Sequence, residues 1–448
     1  MATAADAPTT DARRPLGSRF RRLFAATLVS NLGDGMATIA YPWLASAVTR
    51  NPALIALVAV AQRLPWLVFS LPAGVIIDRV DRRRLMVSMD LVRGVLTLGI
   101  AFAVLGEQAG LPGPDALDTA TGTRSGLYAV LLAATVLLGM AEVLRDNSAQ
   151  TFLPNIVDTD QLERANGRMW GAEAVMNTFV GPPLGSALLL AAFSIPFFVH
   201  SGTFFAAAAI VMLIPGSFRT AAAADQARNS FRTELGDGVR WLWNHSLLRD
   251  LAIILGLSNL AGTLAIATIV LFAQEVVGVG PLLFSVIFFG GAIGAFVGGQ
   301  LASGITERLG RGTALSVSMA TMAATPIVIG ALAWWPAMLV LFAIQSVAII
   351  VWNVITVSLR QTIIPEHLLG RVNSVYRFFG WGMMPIGAGL AGLLVLVVER
   401  VSDRDMALRS TWFASGIMGA ALFLVGRKRL STERIEAARA AATARSAS

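Results

Sequence analysis

The sequence contains no cysteine, which excludes disulfide bonds, thiolate nucleophiles and cysteine-ligated metals together. Histidine is nearly as scarce. His200, His245 and His367 lie far apart in the chain and no aspartate-rich motif accompanies them, so no metal site is expected. Lysine occurs once, as Lys428 in "VGRKRLS", without the glycine-rich loop in which a lysine grips nucleotide phosphates. Direct use of ATP is therefore not expected, nor is any cofactor. Charge of both signs is also thin: 14% of the residues are charged, against about 25% in soluble globular proteins.

What is abundant is apolar. Hydrophobic residues make up 55% of the 448, and the mean hydropathy is +0.68. Apolar runs of about 20 residues, each long enough to cross a bilayer, recur from end to end. The expected fold class is an all-α polytopic membrane protein with the lipid bilayer as its first partner. The opening "MATAADAPTTDARRPLGSRFRR" is polar and has no short apolar core before a cleavage site, so the first span is expected to be retained. The net charge of +8 comes from arginines at the ends of apolar runs. These read as topology signals, and no nucleic-acid partner is expected.

Reading apolar runs between charged residues predicts spans at 22–48, 53–77, 85–106, 126–149, 165–191, 195–214, 249–273, 281–305, 312–334, 337–361, 369–398 and 408–426. Arginine assigns the sides. One set of connections holds Arg13, Arg14, Arg19, Arg21, Arg22, Arg79, Arg82, Arg83, Arg84, Arg219, Arg228, Arg232, Arg240, Arg308, Arg311 and the tail from Arg427; the other holds Arg50, Arg124, Arg400, Arg404 and Arg409. By the positive-inside rule both termini are cytoplasmic, in a plasma or inner membrane. The expected organisation is a cytoplasmic tail over 1–21, a six-helix half over 22–214, a cytoplasmic linker over 215–248, a second six-helix half over 249–426, and a C-terminal tail over 427–448. The linker contains "FRTELGDGVRWLWNH", which reads as an amphipathic helix.

The two halves resemble each other. "QTFLP" at 150–154 recurs as "QTIIP" at 361–365, "LERANG" at 162–167 as "LGRVNS" at 369–374, and "DRVDRRR" after span two is echoed by "ERLGRG" after span eight. The repeated pieces fall on the same side, as in parallel repeats about an axis normal to the membrane. Such a repeat is a transporter signature that neither a channel nor a membrane enzyme requires.

These residues resemble the major facilitator superfamily. "GVIIDRVDRRR" matches its signature between spans two and three, with Gly74, Asp78, Arg79, Arg82 and Arg83 in the expected places and Asp81 where the family usually has glycine. "GPPLGS" at 181–186 is similar to the Gly-Pro-x-x-Gly motif associated with antiporters, with Asn177 replacing an upstream glycine; the Arg-x-x-Gln-Gly signature of span four is absent. "SNLGDG", "RLPWLVFSLPAG", "AEVLRDNSAQTFLP" and "LERANGRMWGAE" resemble the branch of macrolide efflux proteins and enterobactin exporters. The resemblance implies twelve helices in two pseudo-symmetric halves. It also implies that Asp78 meets the start of span eleven, near Leu369, and latches the cytoplasmic side. Without the resemblance, the arginines beside Asp78 are topology anchors.

Within the spans, "SNLGDGM" raises the sharpest question. A charge at mid-membrane costs about 2.5–3.5 kcal/mol even on a lenient scale, and each glycine weakens the helix by about 1 kcal/mol. Asp34 lies about 18 Å into span one and Arg63 about 22 Å up span two, at 1.5 Å per residue. Their matched depth predicts an ion pair facing a wet cavity, serving either structure alone or proton coupling and cation binding. Glu142 in span four and Glu173 in span five are further carboxylates, each paired locally with Arg145 or Arg168 or else functional. Asp90 and Arg93 read as an i,i+3 pair near the surface. Asn31, Asn177, Asn259, Gln345, Asn353 and Arg377 are cavity candidates. Trp352 and Trp381 either wall a bulky ligand or face core and lipid. Gly181, Pro182, Pro183 and Gly185 in span five, matched by Pro385 and Gly387 in span eleven, read as paired helix kinks or as plain tight packing. Gly290, Gly294 and Gly298 read as packing.

The expected function is secondary active transport, proton-driven export of an amphipathic small molecule of drug, macrolide or siderophore type, by a monomer. An importer or facilitator of the same fold, and a transport-inactive sensor or assembly partner, remain as alternatives. A membrane enzyme is disfavoured by the dispersed histidines.

Overall fold

The computed structural model describes residues 15–114, 116–117, 122–216, 218 and 231–447. Twelve helical segments among them are long and apolar enough to cross a membrane. In the first half they are α1 (Gly17–Val48), α2 (Pro52–Arg79), α3 (Arg82–Glu107), α4 (Ser125–Phe152), the bent pair α5 (Leu162–Ala174) and α6 (Gly181–Ala191), and α7 (Ile195–Met212). The connecting α8 (Phe231–Asn244) follows. The second half holds α9 (Ser246–Ile266) with the short α10 (Ile269–Leu271), then α11 (Pro281–Leu309), α12 (Arg311–Leu332), α13 (Trp335–Ile363), α14 (Glu366–Val398) and α15 (Arg404–Arg429). A last helix, α16 (Thr432–Ala447), closes the chain.

Local chemistry sets the helix ends. Asn51 caps α2 by accepting from the Ala53 amide at 2.9 Å, ahead of Pro52 at the first helical position. Asp81 caps α3 through the Arg84 amide at 2.9 Å and also accepts from the Phe218 amide at 2.7 Å. Asp81 thus ties the turn between α2 and α3 to Phe218, beyond α7. Gly310, at φ 75, makes the tight turn between α11 and α12.

The end of the molecule where α1 starts and α15 finishes is the terminal face; the opposite end is the far face. At the far face one apolar core runs through both halves, joining Ile39, Trp43, Leu44 and Leu131 to Phe272, Phe284, Met338 and Trp412. At the terminal face the cores are separate. Residues including Leu23, Phe20, Phe152 and Val211 pack within the first half, and Leu248, Leu251, Val351 and Tyr376 within the second. Among the described residues, the buried apolar core thus joins the halves at the far face and is divided between them toward the termini.

Polar contacts reinforce the far-face seal. Arg404 donates to Glu275 at 2.8 Å and to the Arg50 carbonyl at 2.8 Å, and Arg50 itself bonds Glu275 and, at 2.6 Å, Gln274. Gln274 donates to Ser46 at 2.9 Å and Ser186 to the Pro281 carbonyl at 3.0 Å. Along the side, α2 and α14 lie against each other: a Cβ on Gly392 would come within 2.7 Å of the Ala53 Cα, and the Trp66 and Trp381 rings sit 5.6 Å apart.

At the terminal face the basic loop works inside the first half. Arg82 donates to the Thr151 carbonyl at the end of α4 (3.0 Å), and Arg83 to the Ile214 carbonyl just beyond α7 (2.6 Å). Arg22 bonds the neighbouring Leu213 carbonyl. Cations thus meet carbonyls left unpaired at helix C-termini, where the helix dipole favours them. Arg79 is exposed. The side chains of Gly74 and Asp78 lie outside the described residues, as do those of the tail before residue 15. In the second half, α8 packs on α14, with Gly238 against the Arg371 backbone. Residues 432–447, read above only as a tail, form a docked helix. Arg434 and Arg429 reach the buried Asp250 at 2.9 and 3.2 Å, and Arg311 reaches Glu436 at 2.7 Å.

Candidate functional site: a charge network in the first half

The two glycines beside Asp34 each clear a different neighbour. A Cβ on Gly33 would run into the Thr203 hydroxyl and the His200 ring of α7. One on Gly35 would strike the Met176 carbonyl and come within 3.0 Å of the Asn177 and Gly181 Cα atoms. The pattern "GDG" therefore lets α1 press against α7 on one side and against the bend of span five on the other, with the carboxylate between.

That placement overturns the expected pair. Asp34 Oδ1 accepts from Arg93 Nη2 at 2.7 Å and lies 3.3 Å from His200 Nε2, while Ser30 reaches Oδ2 at 3.5 Å. Arg63 is exposed and makes no hydrogen bond or ion pair among the described residues. The reason is topological: α1 packs on α7 and α6, whereas α2 turns away to α4 and to α14 of the other half. α1 and α2, though consecutive in sequence, barely touch.

The network continues inward. Arg93 Nη1 is 3.7 Å from Asp90, Arg145 Nε is 3.4 Å from the same carboxylate, and Arg145 Nη1 is 3.3 Å from Asp146. Asp90 is wholly buried and Arg93 and Arg145 are 4% and 5% exposed, so the Asp90–Arg93 pair is deep and not superficial as expected. Asp34, 32% exposed, and Asp146, 35% exposed, are the network's two outer ends. The Arg93 guanidinium also lies 4.0 Å over the Phe204 ring, a cation–π contact that anchors it without holding its nitrogens to one partner.

Glu142 and Glu173 do not form the local pairs expected for them. Arg145 is committed to Asp90 and Asp146, and no bond links Arg168 to Glu173. Glu142 is half-buried in the field of Asp146, Arg93, Asp34 and Arg63, and Glu173 is exposed near Asp146 and Arg145. Carboxylates from α1, α3, α4 and α5 thus gather around two buried arginines.

Among the uncharged candidates, Asn177 donates to Asn31 at 2.9 Å, joining span five to α1. Asn259 donates to the Gly380 carbonyl at 2.8 Å, and Gln345 accepts from Thr325 of α12 at 3.1 Å. Asn353 and Arg377 are exposed. Trp352 is buried at 4% in the core of the second half, in one apolar cluster with Leu248 and Val375. Trp381 is 45% exposed, with its ring 5.6 Å from that of Trp66.

The helix of span five is interrupted at this motif. Six residues, Val175–Val180, form a π-helical turn between α5 and α6, directly before Gly181, Pro182 and Pro183. Gly181 lies against Gly35 and Gly185 against Met36. In the second half Gly387 lies equally close to Leu260 of α9, with Pro385 buried beside it. A cavity of about 310 Å³ sits at the bend, lined by Thr38, Asn177, Pro182, Phe288 and Gly291. Gly290, Gly294 and Gly298 pack on Leu339, Ala343 and Val347, as read from their spacing.

Residue counting alone contains part of the missed site. Arg93 and His200 lie eleven and twelve residues from the terminal-face ends of α3 and α7, about 16–18 Å, the depth assigned to Asp34. Depth matched Arg63 as well, and could not choose among them.

Comparison with known proteins agrees with the architecture. The family described as transmembrane secretion effector matches residues 12–438. The multidrug efflux pump Tap of Mycobacterium tuberculosis (strain ATCC 25618 / H37Rv) is 28% identical over 392 residues, 84% of this chain and 87% of the pump. The enterobactin exporter EntS of Salmonella typhi is 26% identical over 418 residues, 91% and 92% of the two chains. Among solved structures, a bacterial homologue of the iron transporter ferroportin in an inward-facing state superposes with a TM-score of 0.68 at 14% identity, over 93% of this chain and all of that one. The nucleoside transporter NupG gives 0.63 at 11%, over 92% and 99%.

Proposed function

We propose a proton-coupled exporter, from the premise that this chain belongs to the transmembrane secretion effector family, within the major facilitator superfamily. That membership makes it a multi-pass membrane transporter with efflux pumps among its relatives. In our reading it removes an amphipathic small molecule from the cytoplasm across the inner membrane, acting as a monomer. The arginine bias puts the terminal face, with both chain ends, in the cytoplasm. Relatives named for multidrug and enterobactin efflux favour export over import.

One observation carries the coupling. Asp34 is one-third exposed about 18 Å along its helix, backed by a buried arginine and a histidine, in a molecule whose apolar core joins the halves at the far face and, among the described residues, is divided toward the termini. A charged group at that depth is expected to serve an ion or substrate pathway. Proton binding at Asp34 weakens its hold on Arg93, and a cationic or polar substrate competes for the same carboxylate. Alternating access then requires the Arg50–Glu275–Arg404 contacts to break while the terminal face closes, with Asp78 meeting the amides around Leu369–Asn373.

The test is solute flux in proteoliposomes under an imposed pH gradient, across a panel of amphipathic cations, macrolides and catecholates. Wild type accumulates at least one of them against its gradient when the trans side is acidic, and Asp34→Asn does not. Downhill flux indifferent to the gradient would indicate a facilitator, and none for any solute a non-transporting role.

A further inference from the structure

The weakest link in the charge network is its centre. Both Asp90 oxygens are buried and accept no hydrogen bond among the described residues, although two guanidinium groups stand within 4 Å. Arg93 turns its Nη2 outward to Asp34 and leaves Nη1 3.7 Å from Asp90, one helical turn away on its own helix. Arg145 likewise reaches outward to Asp146, and its Nε and Nη2 have no hydrogen-bond acceptor. A buried carboxylate is normally saturated with donors, because each unmet bond at that depth is costly. Asp90 instead has full acceptor capacity in reserve beside two arginines drawn toward the rims.

We infer that Asp90 is the standby partner of Arg93: when Asp34 loses its charge or gives it to a ligand, Arg93 moves onto Asp90. The groups facing Asp34 leave no equal rival. His200 on α7 and Arg93 on α3 contact it; Arg145, Glu142 and Asp146 on α4, and Glu173 on α5, act on it or on Arg93 through their fields alone. Arg93 is too buried to stand without a carboxylate, and the Phe204 ring beneath it supports either position. The exchange makes release of Asp34 affordable, and Asp90 acts as a positioning residue. It rests on the proposed change of charge at Asp34.

The direct test is an experimental structure of Asp34→Asn in lipid nanodiscs. An Arg93 nitrogen is expected within hydrogen-bonding distance of Asp90; Arg93 still on residue 34, or turned to Glu142, would overturn the inference. A thermal-unfolding cycle covers failure to obtain that structure. Asp34→Asn and Asp90→Asn each leave Arg93 one carboxylate, so the double variant should lose more in Tm than the two singles together; simple additivity argues against exchange. In flux assays Asp90→Asn should move the pH of half-maximal transport toward acid by about one unit, and Asp90→Glu should restore it, whereas a merely structural residue would lower flux at every pH alike. If Arg93 moves onto Asp90 while Asp34→Asn still transports uphill, the exchange stands and the coupling role of Asp34 falls.

Discussion

Arg93 donates to Asp34 at 2.7 Å across 59 residues of sequence, and the two partners are unequally placed, 4% and 32% exposed. The arginine is fixed in the wall and the carboxylate faces outward. A change of charge at the more exposed Asp34 is therefore passed to the interior through Arg93.

Replacing Asp34 by Asn keeps the shape and removes the charge. Accumulation driven by a pH gradient should disappear, while counterflow exchange, which needs no net proton movement, should survive. Wild-type uphill accumulation by this variant would move the coupling role to Glu142 or Glu173.

Removing Arg93 is a different perturbation. Arg93→Met leaves Asp34 and Asp90 without their shared cation, and loss of one partner from a buried pair typically costs about 3–5 kcal/mol. Thermal unfolding in detergent should show a much larger loss for Arg93→Met than for Arg63→Met, because Arg63 is exposed and bonded to nothing described. Equal losses would mean that the Arg93–Asp34 bond adds little.

The glycines of "GDG" give a packing prediction. Gly35→Val pushes a branched side chain against the backbone of Asn177 and Gly181, and overpacking of this kind costs about 1–3 kcal/mol or more. Gly99→Val, at a helical glycine with open space around it, should be far milder. Expression yield and Tm of the two variants compare them directly.

At the far face, Glu275 gathers Arg50 and Arg404 from opposite sides of the seam. Glu275→Gln should favour opening there. The natural lack of cysteine makes the readout clean: single cysteines placed at Ser46 and Ala273 should become more reactive to a membrane-impermeant maleimide in the variant. Unchanged labelling would show that the apolar core alone holds this end shut.

The sequence by itself determined the class, the spans and the repeat. Apolar runs of bilayer length have only the helix available to them, since lipid offers no partner for a backbone amide. The interruption at "GPPLG" arises from prolines and glycines adjacent in the chain, which is why that motif was legible. The partner of Asp34 was not. Depth along a helix can be counted, but two arginines, Arg63 and Arg93, and a histidine, His200, share a similar depth in this half. Which of them meets Asp34 depends on which helix faces play against each other. Tertiary structure decided that α1 lies on α7 and that α2 leaves for α14, so Arg93 and His200 became the partners and Arg63 did not. It also turned Trp352 into core and docked the final helix on Asp250. Each outcome depends on side chains brought together from distant positions, and helical periodicity carries no term for that.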